Sequence, residues 1–318
     1  MTDMTPSLLA TAHDRRRLII GYAVYLAAAC LFALNGTVVK TILLSGVSAA
    51  RLSEIRATGA FIILFVIVLI ARPRALRIHR GEWGLLLAYG VVGVAMTQFL
   101  FFVAIERMPI GIALVIEFTA PIFVVLYARF GQKQLVRGAV WLGLALALVG
   151  LALIAQVWKG FVLNGLGVLA AFGAAMALAL FYILAERQRR SGYERDALSL
   201  TMWGMAGAAA FWAIVQPWWT FPWTDFAGIS EPLAGSGPQL PLTTLTTWMV
   251  VMGTALPFTL IIISLGYITA AQAAIVGMLE PVIASIIAWV VLAEFLTPAQ
   301  MIGGLVVLTG VYLAERSR

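Results

Sequence analysis

Charge is what this sequence has least of. Only 11% of its 318 residues are Asp, Glu, Lys or Arg, where a soluble domain carries roughly 25%, and this shortfall excludes a protein wetted over most of its surface. Cysteine is nearly missing too. The lone Cys30 cannot form an intramolecular disulfide, and the two histidines, His13 and His79, cannot build a His/Cys metal site. No metal or other cofactor is expected. The motifs of catalysis are absent as well: there is no HExxH, no GxSxG with partners, no aspartate-rich metal motif and no Gly-Lys-Ser/Thr phosphate loop. An enzyme is therefore disfavoured. The net charge of +7 does not point to nucleic acid, because the basic residues punctuate apolar runs and do not share one wet face.

Apolar residues are abundant, at 62%, with a mean hydropathy of +1.00. A helix crossing the hydrocarbon needs about 20 mainly apolar residues. Ten such runs are legible, over residues 18–40, 48–71, 82–105, 109–128, 135–156, 162–185, 197–219, 244–266, 270–292 and 298–315. The expected fold is an all-α integral membrane protein of ten transmembrane helices. Breakers such as Arg72-Pro73-Arg74, Gly131-Gln132-Lys133 and Thr297-Pro298 mark the joints. Only 220–243 is a long connection, and Trp218, Trp219 and Trp223 beside it fit an aromatic belt at the headgroups. Arg15, Arg16 and Arg17 before an apolar run ending at Cys30 resemble a lipoprotein signal. The run continues to Val39, longer than a signal core, so helix 1 is expected to remain.

Basic residues near span ends set orientation. With the N-terminus inside, the cytoplasmic segments hold sixteen of the 21 Lys and Arg; the other side keeps Lys40, Arg51, Arg56, Arg107 and Lys159. Both termini are expected in the cytoplasm of a cell whose inner membrane carries the chain, with 1–17 as a cytoplasmic tail and 220–243 outside.

A shift of 160 residues aligns Gly93 with Gly253, Pro121 with Pro281, Gly143 with Gly303 and Gly150 with Gly310, without a gap. Two five-helix repeats, 18–158 and 159–318, follow. Each has an odd number of spans, so the second enters the membrane the other way up, as in many secondary transporters.

Residues 264–313 carry Glu280-Pro281, Ala293-Glu294, Gly303 and Gly310, and 104–153 repeats the pattern with Gln134 at the position of Glu294. This pattern resembles the drug/metabolite transporter superfamily in its EamA-type branch, and within it the bacterial amino-acid and metabolite exporters, including those for aromatic amino acids. The resemblance implies a carrier that exports small metabolites, neutral or aromatic amino acids first, by alternating access. It implies a cavity among helices 1 to 4 and 6 to 9, with helices 5 and 10 peripheral. Multidrug and nucleoside or sugar-type carriers of the same superfamily are the alternative; a membrane enzyme or a channel would be of another class. The expected partners are a small-molecule substrate and membrane lipid, not nucleic acid, and a homodimer is left open.

Polar groups at membrane depth usually face a bundle interior or a wet cavity. Glu117 and Glu280 lie mid-span near the repeat-related prolines and could handle protons or substrate; they could equally bond neighbouring helices. Asn35, Gln98 and Gln272 offer both donors and acceptors to a zwitterionic or hydroxylated solute, or to other helices. Arg56 could bind a carboxylate, or join Arg51 and Glu54 in an ionic cluster at the outer surface. Tyr89, Tyr182, Trp203 and Trp289 are candidate apolar walls. Pro121, Pro257 and Pro281 each remove a helical hydrogen bond and are expected to act as hinges, while Gly143, Gly150, Gly303 and Gly310 suit close helix packing.

Overall fold

Wherever the computed structural model describes the chain, at residues 6–159, 164–190, 195–232, 237–292 and 296–316, helix dominates. Hydrocarbon offers no partner for an exposed peptide group, so each span must satisfy its own backbone. Among the described residues, nine helices are long and apolar enough to cross a membrane, and Gly138–Ile154 is a shorter apolar helix of 17 residues. In chain order these are α1 (Pro6–Leu44), α2 (Ala49–Ala71), α3 (Trp83–Arg107), α4 (Ile110–Gly131), α5 (Gly138–Ile154), α6 (Gly165–Arg190), α7 (Ala197–Val215), α8 (Leu242–Ser264), α9 (Ala270–Gly277 and Glu280–Leu292) and α10 (Pro298–Arg316).

Helix starts follow local chemistry. Ser48 Oγ accepts from the Arg51 amide at 3.3 Å and Asp196 Oδ1 from the Ser199 amide at 2.7 Å, each satisfying an otherwise unpaired N-terminal donor. Thr269 with Gln272, and Thr297 with Gln300, make reciprocal pairs in which the Gln side chain also accepts from the Thr amide, at 2.9 Å in both. Near 220–243 the aromatic residues form a cluster. Trp218 stacks on Phe221 at 4.9 Å and on Trp223 at 5.9 Å, while Arg51 lies over Phe221 and donates to Thr220 Oγ1 at 2.6 Å. The aromatic cluster is thus tied to the start of α2. Trp219 and Trp223 remain exposed.

Two spans are not continuous. In α4 the first half ends at Glu117 and the second restarts at Ala120; in α9 the halves end at Gly277 and restart at Glu280. Proline explains both breaks. Pro121 and Pro281 have no amide hydrogen for the carbonyls of Glu117 and Gly277 four residues earlier, and each ring crowds that carbonyl, so the helix stops and resumes with proline in its first turn. Both breaks obey the same 160-residue shift. Spans α3 and α8 also match each other, with wide π-helical turns at Tyr89–Met96 and Val251–Ala255.

Helices α5 and α10 pack on each other through bare backbone. A Cβ added to Gly143 would lie 2.5 Å from the Gly310 carbonyl oxygen, and one on Gly150 would lie 2.6 Å from that of Gly303. Pairing 143 with 310 and 150 with 303 makes the contact antiparallel. Only glycine allows this approach.

Candidate functional site

Spans α1, α2, α3, α4, α6, α8 and α9, with a rim from Leu296 and Gln300, enclose a cavity of about 350 Å³. Its polar groups come from helix faces that would otherwise meet only apolar neighbours. Arg56 of α2 is the centrepiece. Its position depends on α8, where Pro257 cannot donate to the Gly253 carbonyl four residues before it. That carbonyl accepts instead from Arg56 Nη2 at 2.8 Å, while Arg56 Nε donates to Thr254 Oγ1 at 2.6 Å. Thr254 Oγ1 in turn donates to the Met249 carbonyl across the π-helical turn. The guanidinium also lies over the Phe102 ring, 5.4 Å from its centroid, an attraction that strengthens away from water.

Asn35 of α1 enters the same corner. Its Nδ2 faces the Gly253 carbonyl at 3.5 Å, and its amide occupies the space that a Cβ on residue 253 would need. Glycine is therefore required at 253. Asn35 Oδ1 and Gln98 Nε2 are buried and, among the described residues, have no hydrogen-bond partner. Such groups are expensive to leave unpaired in a dry interior. Glu117 and Glu280 also line the cavity, and among the described residues neither they nor Arg56 form an ion pair.

At one end the cavity closes on Tyr25 of α1 and Tyr182 of α6, whose hydroxyls bond each other beside the α9 break: a Cβ on Gly277 would lie 2.6 Å from the Tyr25 hydroxyl. Beyond that bridge Tyr22 donates to Glu315, and Gln272 Nε2 donates to the Tyr22 hydroxyl at 2.9 Å. At the other end the lining reaches Val39, Ile110, Leu296 and Gln300. The aromatic walls are a chain of edge-to-face contacts, Phe32 to Phe258 and Phe258 to Phe181, each at 5.4 Å.

Two stretches, residues 19–156 and 165–315, match the model of the EamA-like transporter family. The chain belongs to that family. It is 28% identical over 259 residues to the threonine/homoserine exporter RhtA of Escherichia coli K12, covering 81% of this chain and 77% of that protein. It is 23% identical over 223 residues to the uncharacterized transporter YdfC of Bacillus subtilis, covering 70% and 68%. A protein crystal structure shares the fold with a TM-score of 0.70 at 16% identity, covering 94% of this chain and 96% of that one.

Within this EamA-family bundle the residues expected at the site divide. Asn35, Arg56, Gln98, Glu117, Tyr182, Glu280 and Pro281 line one cavity. Arg56 turns inward and leaves Arg51 and Glu54 to pair at 2.7 Å without it. Tyr89, Trp203, Gln272 and Trp289 are elsewhere. Tyr89 stacks on Phe181 and fills the space over Gly204 between α3 and α7, and Trp203 packs edge-on against Trp83. Gln272 is occupied by its capping box and by Tyr22; Trp289 is 52% exposed on the bundle's outer face. Helix α7 lines none of the described cavity, whereas α10 reaches its rim through Gln300. Pro121 and Pro257 sit just after the α4 break and the α8 π turn, not at the centre of smooth kinks. Glu294 and Ala293 lie outside the described residues.

Sequence reasoning missed Tyr25, Thr97, Phe102, Phe181 and Ser285. A tyrosine or phenylalanine in an apolar span reads as packing unless the facing helices are known. One signal was available: Tyr22 and Tyr25, three residues apart, share one face of α1.

Proposed function

We propose that this chain is a secondary transporter that exports small metabolites, amino acids first, by alternating access through the central cavity. The observation that carries the reading is a cavity inside an EamA-family bundle, lined by a cation, two carboxylates and two amide side chains that each leave one buried atom unpaired among the described residues, Asn35 Oδ1 and Gln98 Nε2. Buried polar groups without partners suit a polar solute that comes and goes. The exporter RhtA, similar over most of its length, supports amino acids as the class.

The matching breaks of α4 and α9, the matching π turns of α3 and α8, and the antiparallel α5–α10 contact support two inverted repeats pivoting about the site. With both termini cytoplasmic in an inner membrane, the Tyr25–Tyr182 bridge lies toward the cytoplasm and the Leu296–Gln300 rim toward the outside, so the shape corresponds to an outward-facing state. Glu117 and Glu280 are then placed to exchange a proton for the solute. A multidrug carrier for organic cations is the weaker reading, since such cargo could meet Glu117 and Glu280 but would leave the Arg56 and Gln98 donors without a partner. For an enzyme or a channel, the sequence offers no catalytic motif and the described residues form no ring of repeated groups.

The deciding experiment is counterflow with purified protein in liposomes, comparing amino acids, nucleosides and cationic drugs with and without a pH gradient. Saturable amino-acid exchange is the expected result. Exchange of organic cations alone would overturn the class, and unsaturable flux would replace the carrier with a channel.

A further inference from the structure

The link between α2 and α3 carries Arg72, Arg74, Arg77 and Arg80, all exposed. Its backbone is held from beneath. Arg195, just before α7, donates to the Ala75 carbonyl at 3.0 Å and to the Arg77 carbonyl at 2.8 Å, and it pairs with Glu82 at 2.6 Å, the two side chains being 5% and 1% exposed. Ser199 Oγ also donates to the Ala75 carbonyl, at 2.7 Å. The apolar side chains of the link, Ala75, Leu76 and Ile78, pack on the bundle core, which leaves its guanidiniums on the outer side. Arg72 is occupied by Asp196 at 2.9 Å. Among the described residues, Arg74, Arg77 and Arg80 form no ion pair. Ile70 at the end of α2, and Trp83 and Leu87 at the start of α3, are exposed apolar residues on either side of the link, so the three arginines sit where hydrocarbon gives way to headgroups.

We propose that this link is a binding surface for an anionic phospholipid, with the headgroup phosphate on Arg74, Arg77 and Arg80 and an acyl chain along Trp83 and Leu87. Guanidinium forks match phosphate oxygens two at a time. Basic groups at this depth favour a lipid of net negative charge over a zwitterionic one, whose own ammonium offsets its phosphate. An orientation signal would need the charges alone. Here the backbone that carries them is pinned at two carbonyls by a buried ion pair, which returns little net stability for its desolvation and instead keeps the three arginines at a fixed spacing along the surface. A soluble acidic partner would need the patch to stand clear in water, whereas Ile70, Trp83 and Leu87 set it against lipid. The surface is separate from the central cavity, which none of these residues lines.

The test titrates dioleoyl-phosphatidylglycerol, dioleoyl-phosphatidylcholine and inorganic phosphate separately into the purified full-length protein in detergent at low salt, and reads the thermal midpoint. Phosphatidylglycerol should stabilise at a concentration lower by about fivefold or more than phosphatidylcholine. Replacing Arg74, Arg77 and Arg80 together by Gln should raise the half-saturating phosphatidylglycerol concentration by about tenfold or more. A control triple, Arg129→Gln with Lys133→Gln and Arg137→Gln, removes the same charge from another exposed segment and should shift it by less than about threefold. Equal stabilisation by the two lipids overturns the proposal. Equal shifts from the two triples do so as well, since the lipid would then respond to overall charge, and inorganic phosphate as effective as phosphatidylglycerol would remove the lipid as the occupant. If the link triple does not purify, Arg77→Gln alone should weaken phosphatidylglycerol by about fivefold, and an unchanged titration refutes the surface.

Discussion

Gly253→Ala inserts one methyl where the structure has no room for it, and the consequence can be worked through. The added Cβ would overlap the Asn35 side-chain amide itself, so either Asn35 leaves the cavity corner or α1 and α8 move apart. Inserting carbon into a filled site costs about 1–3 kcal/mol. Asn35 would also lose its contact with the Gly253 carbonyl, which continues to serve Arg56. For a chain of this size the expected drop in thermal midpoint is roughly 2–10 °C, read by a melting curve in detergent. The diagnostic variant is Asn35→Ala with Gly253→Ala. Removing the amide relieves the overlap, so the double variant should recover most of the lost stability, with a coupling of roughly 1–3 kcal/mol by a double-mutant cycle. It should not recover transport, since Asn35 Oδ1 is gone. Additive losses in the cycle, or a Gly253→Ala protein that melts with the parent, would refute the packing of α1 against the α8 π turn and the assignment of Asn35 to the cavity.

Three further outcomes are expected. Glu117→Gln and Glu280→Gln keep shape and hydrogen bonding but cannot ionise, so each should fold like the parent and change the rate and pH dependence of transport; unaltered transport in both would remove them from proton or substrate handling. Gly310→Ala places a methyl 2.5 Å from the Gly143 carbonyl oxygen, well inside contact distance, and should lower stability by about 1–3 kcal/mol, with Gly310→Leu worse; a melting curve identical to the parent would mean that α5 and α10 do not approach this closely. Gly235, a natural labelling site in the long connection, lies outside the described residues, so the topology test uses the exposed Ala227: in a Cys30→Ala background, Ala227→Cys should react with an impermeant thiol reagent from outside, and reaction only after the membrane is opened would invert the assigned orientation.

Class and spans were legible in the sequence because they depend on sums over twenty residues. The hydrocarbon rewards any sufficiently long apolar run, whichever face it turns inward, and the proline and glycine spacing needed no partner to be seen. The same local logic pointed to Pro121, Pro257 and Pro281, and to Gly143, Gly150, Gly303 and Gly310. What only tertiary structure decided is rotation about each helix axis. In water the polar face of a helix announces itself; in lipid the outer face is as apolar as the core, so periodicity does not say which way Tyr89, Trp203 or Trp289 points. The short-range chemistry of Gln272 was equally invisible as a site choice, since its capping box with Thr269 competes with any role in the cavity. Arg56 shows the limit most clearly. Its sequence neighbours Arg51 and Glu54 suggested an outer ionic cluster, and its inward turn depends on the Gly253 carbonyl that Pro257 leaves unpaired, about 200 residues along the chain and on another helix.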